Sequence, residues 1–220
     1  MDRPILFNTA MAQAVLDGRK TVTRRLLKLH YRDDESGFNV VSNTHTGEFV
    51  RVEKTNENGG GIFADGSERY VAQPAYVRDV LWVRETWCEA LGRAGKYFYR
   101  AYPGERDEMK EYAHSFNRWR PSIHMPKAAA RLFLRVTGVR VERLQEILAR
   151  PGEVAKEGIP YEDDGDREAS GLRFKELWDS TIKPADRDSY GWDANPWVWV
   201  IEFERCERPG DWLSQPAEED

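Results

Sequence analysis

Apolar positions recur at helical spacing over Thr9–Leu16, where Met11, Ala14 and Val15 share one face. Asn8 or Thr9 can cap the first turn, and Gly18 supplies the left-handed residue that commonly ends a helix. Pro4-Ile5-Leu6-Phe7, ahead of this helix, predicts a strand or an extended arm into the core. Beyond the helix, Thr21-Val22-Thr23 is β-branched and predicts a strand start. If Leu81 to Trp87 is one strand, Trp82, Arg84 and Thr86 share a face, with Leu81, Val83, Glu85 and Trp87 on the other. A charge on each face of so apolar a strand means either a buried ion pair or the lining of a pocket. Arg131 to Leu144 alternates apolar and polar around Gly138, which reads as a bulged strand or two strands joined by a turn. Glu153–Glu157 after Pro151 and Phe174–Trp178 predict two short helices, the first stopped by Gly158. Trp197–Glu204 is apolar on both faces at first and predicts a strand central in a sheet.

Between these segments lie two polar, glycine-rich excursions, about 31–75 and 89–117. Phe49-Val50-Arg51-Val52 in the first suggests hairpins, so this excursion is either a flap or a surface loop. Lys96–Arg100 in the second predicts a strand. Short strands, few helices and frequent turns place the chain in the α+β class, mainly β, as a small β-barrel with peripheral helices. Residues 1–208 form the expected single domain and 209–220 a loose acidic tail.

Composition narrows the function classes. The 220 residues are 40 % hydrophobic and 12 % aromatic, enough for a core, and no apolar run has the length of a membrane span. Charged residues make up 32 % and the net charge is -5, which argues against a protein that coats nucleic acid without specificity. Cys88 and Cys206 have neither disulfide-framework nor zinc-ligand spacing, and the N-terminus lacks a signal-peptide apolar core, so a cytoplasmic location is expected. The charge is uneven: six cations (Arg19, Lys20, Arg24, Arg25, Lys28 and Arg32) face one acid between Asp17 and Arg32. Such a run after a helix end is either a solvated face favoured by the helix dipole or a local site for a small polar ligand or a short nucleic-acid segment.

Further candidates sit outside that run. His124 lies in Trp119-Arg120-Pro121-Ser122-Ile123-His124-Met125-Pro126, where two prolines enforce a rigid extended piece. Glu157, at the end of a short helix, sits where the dipole disfavours an acid.

These motifs carry a resemblance. Asp17-Gly18-Arg19-Lys20-Thr21-Val22-Thr23-Arg24-Arg25, Leu81-Trp82-Val83-Arg84-Glu85-Thr86-Trp87, Ser122-Ile123-His124-Met125-Pro126 and Asn195-Pro196-Trp197-Val198-Trp199-Val200 resemble the larger bacterial and phage-associated members of the ASCH domain family. The resemblance implies a PUA-like β-barrel with a cleft against its helices, the two excursions being insertions. The small ASCH members best tied to a reaction are 4-acetylcytidine amidohydrolases, whose lysine, threonine and glutamate fall on Lys20, Thr23 and Glu157. Other members are described as RNA-binding proteins or nucleases. What is implied is therefore a small nucleoside or base as ligand, with RNA as the alternative, and no metal or other cofactor.

Hydrolysis of an N4-acyl cytosine needs a nucleophile, a base, an oxyanion stabiliser and a proton for the leaving amine. Thr23 is the candidate nucleophile. Lys20 can be the base only if it is neutral near pH 7, which costs about 4 kcal/mol; charged, it stabilises the oxyanion while Glu157 handles the protons. On a regular strand Lys20 and Thr23 point to opposite faces, so they converge only if Lys20 precedes the strand. Trp82, Trp197 and Trp199 are candidate stacking partners for the base. Arg19, Arg24, Arg84, Glu85, His124 and Asn195 are candidates for reading its edge or binding substrate.

Overall fold

The computed structural model describes residues 2–27, 38–42, 49–54, 69–72, 75, 77–90, 94–101, 118–159 and 167–210, with 38–42, 49–54, 69–72 and 167 described through their backbone. It is an α+β fold. Five strands hydrogen-bond in the order β1-β6-β9-β10-β2, namely β1 (Asp2–Leu6), β6 (Val80–Arg84), β9 (Phe133–Arg143), β10 (Trp197–Cys206) and β2 (Val22–Leu26). The sheet is mixed: β1 runs parallel to β6, while β6 with β9 and β10 with β2 are antiparallel. β10 is an interior strand between β9 and β2, as its two apolar faces require, and β9 holds the centre. The expected strand-rich α+β class is observed. The expected barrel is not closed, because β1 and β2 end the ladder and do not pair among the described residues.

The chain clusters into two units. One comprises residues 1–21, 78–136 and 203–220; the other comprises 22–77 and 137–202. The first has its core at Trp82, Trp87, Tyr99, Met125, Ala129, Ala130 and Phe133. It contains helix α1 (Thr9–Leu16) and a two-stranded sheet of β7 (Trp87–Glu89) and β8 (Tyr97–Tyr99). In the second, Val22, Val198 and Val200 pack with Leu144, Ile147, Val154, Phe174, Trp178 and Trp192. Here lie the short helix α2 (Glu153–Lys156), the long helix α3 (Arg167–Thr181) and the single-turn α4 (Arg187–Tyr190). The 31–75 excursion contributes an antiparallel sheet of β3 (Phe38–Ser42), β4 (Phe49–Lys54) and β5 (Arg69–Ala72), which accords with the hairpin pattern around Phe49–Val52. Whether it acts as a flap, most of the second excursion, and the tail from 211 lie outside the described residues.

Three local expectations change and one open alternative is settled. The single strand over Leu81–Trp87 is two: β6 ends at Arg84 where β1 runs out, since Leu6 is its last partner, and Trp87 takes Tyr99 and Arg120 instead. Of the two readings of Arg131–Leu144, the single strand is observed, Phe133–Arg143, and at Gly138 an added Cβ would sit 2.9 Å from a Glu202 carboxylate oxygen. The helix expected over Phe174–Trp178 extends to fifteen residues, burying Ser170, Phe174 and Trp178 four residues apart. On α1 the buried residues are Ala12, Ala14 and Val15, with Met11 only half-buried.

Candidate functional site

The end of α1 sets the geometry of the basic motif. Asn8, not Thr9, is the cap, its Oδ1 accepting from the Met11 amide at 2.8 Å. At the other end Gly18 adopts φ 72°, and its amide donates to Val15 O at 3.1 Å while Arg19 N donates to Ala14 O at 2.9 Å. These two bonds form the six-residue closure that a left-handed glycine permits. Lys20 N also donates to Ala14 O, at 3.0 Å, so Lys20 belongs to this turn and precedes β2. Strand alternation therefore does not force Lys20 and Thr23 onto opposite faces. Lys20 is only 2 % exposed, with Nζ 5.6 Å from the centroid of the Phe7 ring. Arg19 stays at the surface and pairs with Asp17 at 2.7 Å.

The second unit holds a buried charge cluster built on β2, β9 and α2. Arg24 has a side chain only 1 % exposed, and all its nitrogens are engaged. Nε and Nη2 donate to Glu142 Oε1 at 2.9 and 2.7 Å, Nη2 also to Glu153 Oε2 at 2.9 Å, and Nη1 to Glu157 Oε1 at 3.1 Å. Glu153 and Glu157 stand four residues apart, at the first position and the C-cap of α2, so one helical face delivers both carboxylates. Around this centre Arg140 bonds Glu142, Glu153 and Glu202, Arg150 bonds Glu142 and Lys156 bonds Glu153. Four cations thus meet four carboxylates.

The ionisation of these groups follows. Burial opposes the charge on Arg24, but Glu157, Glu142 and Glu153 outweigh it and hold its pKa above the ordinary value. Burial likewise opposes ionisation of Glu153, yet hydrogen bonds from Lys156 and Arg24 hold its pKa at about 2. Burial pushes the neighbouring Arg25 down, with Glu157 pulling the other way.

Among the three residues singled out as catalytic, Thr23 and Glu157 are 1 % and 5 % exposed in the second unit, and Lys20 is buried in the first. The cluster joins Arg24 to Glu157, so Arg24 is spent on carboxylates rather than presented to a ligand. Glu85 is fully buried and takes a bidentate pair from Arg131 at 2.9 and 3.0 Å, the ion-pair alternative of the two its sequence position allowed. Trp82 is a core residue, with the Arg84 guanidinium 5.5 Å from its ring. Arg84 also donates to the Ile123 carbonyl, which fastens the segment carrying His124. His124 is exposed and lines a pocket in the first unit. Asn195 adopts φ 46° and accepts from the Gln145 amide at 2.9 Å, fixing the entry to β10. Trp197 is half-buried beneath the Arg143 guanidinium at 4.4 Å.

Sequence reasoning missed Glu142 and Glu153. The single acid on a strand whose other charges are Arg135, Arg140 and Arg143, and a second acid one turn before Glu157, were the available signals. Among the described residues no group of three or more His, Cys, Asp and Glu side chains is placed to hold a metal ion, and no helix is long and apolar enough to cross a membrane. No family model, curated protein or solved structure matches this chain.

Proposed function

We propose that this chain is a PUA-like ASCH amidohydrolase that removes the acyl group from N4-acylated cytosine nucleosides without a metal. The observation that carries the reading is the burial of Lys20, Thr23 and Glu157, the three residues the family resemblance selects. Lysine and glutamate are rarely buried without a partner or a task, and a solvated basic face would leave this lysine in water.

In the proposed reaction the Thr23 hydroxyl attacks the acyl carbonyl and its proton passes to Glu157. The Lys20 ammonium stabilises the oxyanion of the tetrahedral intermediate. As the C–N bond breaks, Glu157 returns the proton to the departing N4 amine, and water then hydrolyses the acyl-threonine by the same route in reverse. Arg24 holds one oxygen of Glu157, which fixes the carboxylate as an acceptor.

The test is incubation of the purified protein with N4-acetylcytidine in the presence of EDTA, beside Lys20→Ala and Thr23→Ala. Cytidine release by the wild type, lost in both variants, is the expected result. No release over hours by folded protein would remove acetylcytidine as the substrate and turn attention to single-stranded RNA.

A further inference from the structure

The pocket that His124 lines in the first unit has a volume of about 720 Å³ and is lined by Cys88, Glu89, Arg118, Trp119, Arg120 and His124 with Pro121. Its volume is in the range of small-molecule sites. Its wall joins two guanidiniums, an imidazole and an indole, and the one acid among its described residues, Glu89, already accepts from the Gly95 amide at 3.2 Å. Cationic donors beside an aromatic face form the pairing that recognises a phosphate together with a base.

The wall is held in place from behind. Arg120 exchanges two backbone hydrogen bonds with Trp87, at 2.7 and 3.2 Å, and its guanidinium lies 5.2 Å from the Trp87 ring centroid. His124 ends a single 3-10 turn over Ser122–His124, and Arg84 anchors the carbonyl before it. The next residue, Met125, is fully buried and accepts from the Glu85 amide through its sulfur at 3.2 Å. Ligand binding therefore does not have to order this segment first. Among the described residues, the buried Nε of Arg84 and the buried indole Nε1 of Trp87 have no hydrogen-bond partner.

We propose that this cavity is a nucleotide site, in which Arg118, Arg120 and His124 take a phosphate and Trp119 stacks on the base. The ligand chemistry is a phosphorylated nucleoside, either free or as one unit of single-stranded RNA. The proposal is independent of the Lys20 motif and stands if acetylcytidine is not turned over.

Adenosine monophosphate is a suitable probe, because an N4-acylcytosine site has no use for adenine. Binding is measured by calorimetry at low salt with the monophosphate, with adenosine, with inorganic phosphate and with a ten-residue oligoadenylate. The monophosphate should bind at least tenfold more tightly than adenosine. Arg118→Ala, an exposed position whose loss does not threaten folding, should weaken it about tenfold, the scale of one charge-assisted contact. Trp119→Leu should weaken the monophosphate and leave inorganic phosphate unchanged. Lys20→Ala should change none of these values. Tighter, salt-sensitive binding of the oligonucleotide assigns the site to RNA; equal binding assigns it to the free nucleotide. Equal affinity for adenosine and its monophosphate, no binding of either, or full binding by Arg118→Ala in folded protein overturns the proposal.

Discussion

Replacing Arg24 with methionine tests the buried charge cluster most directly. Methionine approximates the length of the side chain and removes four N–H···O contacts of 2.7–3.1 Å to Glu142, Glu153 and Glu157. Removing one partner of a buried ion pair costs about 3–5 kcal/mol, because the other charge stays behind. Here the lower end applies: Glu142 keeps Arg140 and Arg150, and Glu153 keeps Arg140 and Lys156. Arg24→Met should therefore lose about 3 kcal/mol in urea unfolding at pH 7, or about 6–12 °C in Tm for a chain of this size. The loss should depend on pH. Glu153 is held at about 2 against an ordinary 4.5, so its contribution is present above pH 4.5 and is lost as pH falls towards 2. Without Arg24 one cause of that lowering is gone, and the variant has less to lose on acidification. The stability difference between wild type and variant should shrink steadily between pH 4.5 and 2. A difference that stays constant across that window would mean that packing, not charge, is what Arg24 supplies. Adding Glu157→Gln to Arg24→Met should recover part of the loss, because Glu142 and Glu153 keep their other cations and the charge that Arg24 held at Glu157 is removed with it.

Two further substitutions probe single contacts. Arg131→Ala removes the bidentate partner of fully buried Glu85 and should destabilise the protein by about 3 kcal/mol in urea unfolding; an effect within 0.5 kcal/mol of zero, roughly the size of a neutral surface change, would show that Glu85 does not depend on Arg131. Gly18→Ala meets no atom within 4 Å of the new Cβ but forces alanine to φ 72°, so the expected loss is about 1 kcal/mol, read as a lower Tm; an unchanged Tm would refute the view that the left-handed turn is the constraint at this position.

Much of the fold was legible where a local rule acts alone. The helix over Thr9–Leu16, its stop at Gly18 and the short helix at Glu153 follow from caps, glycine and periodicity, and the structure reproduces them. The break between Arg84 and Trp87 was not legible, because it arises where the partner strand β1 ends and strand propensity continues unchanged. Most of α3 escaped notice because its first half is polar, and within Glu168–Arg173 only Ser170 and Gly171 are buried. Barrel closure was an expectation from short strands, frequent turns and the family resemblance, and none of these says which edges of this chain meet.

The acidic C-cap of α2 shows how a single residue can carry two readings that only tertiary contacts separate. By the helix dipole alone Glu157 is misplaced, which marked it as functional. Arg24 supplies a structural reason for the same acid: a guanidinium buried on β2 needs carboxylates, and a four-residue helix beside it delivers two of them from one face. The two roles are compatible only if Glu157 keeps capacity for a substrate while one oxygen is bound to Arg24. Glu157→Gln separates them. The amide oxygen still accepts from Arg24, so unfolding free energy should fall by no more than about 1–2 kcal/mol, the scale of a weakened hydrogen bond. Deacylation of N4-acetylcytidine, which needs the carboxylate to take a proton, should fall at least about a hundredfold, the usual contribution of a general base. Lost stability with retained turnover would make Glu157 a structural residue and would move the proton-transfer role elsewhere in the chain.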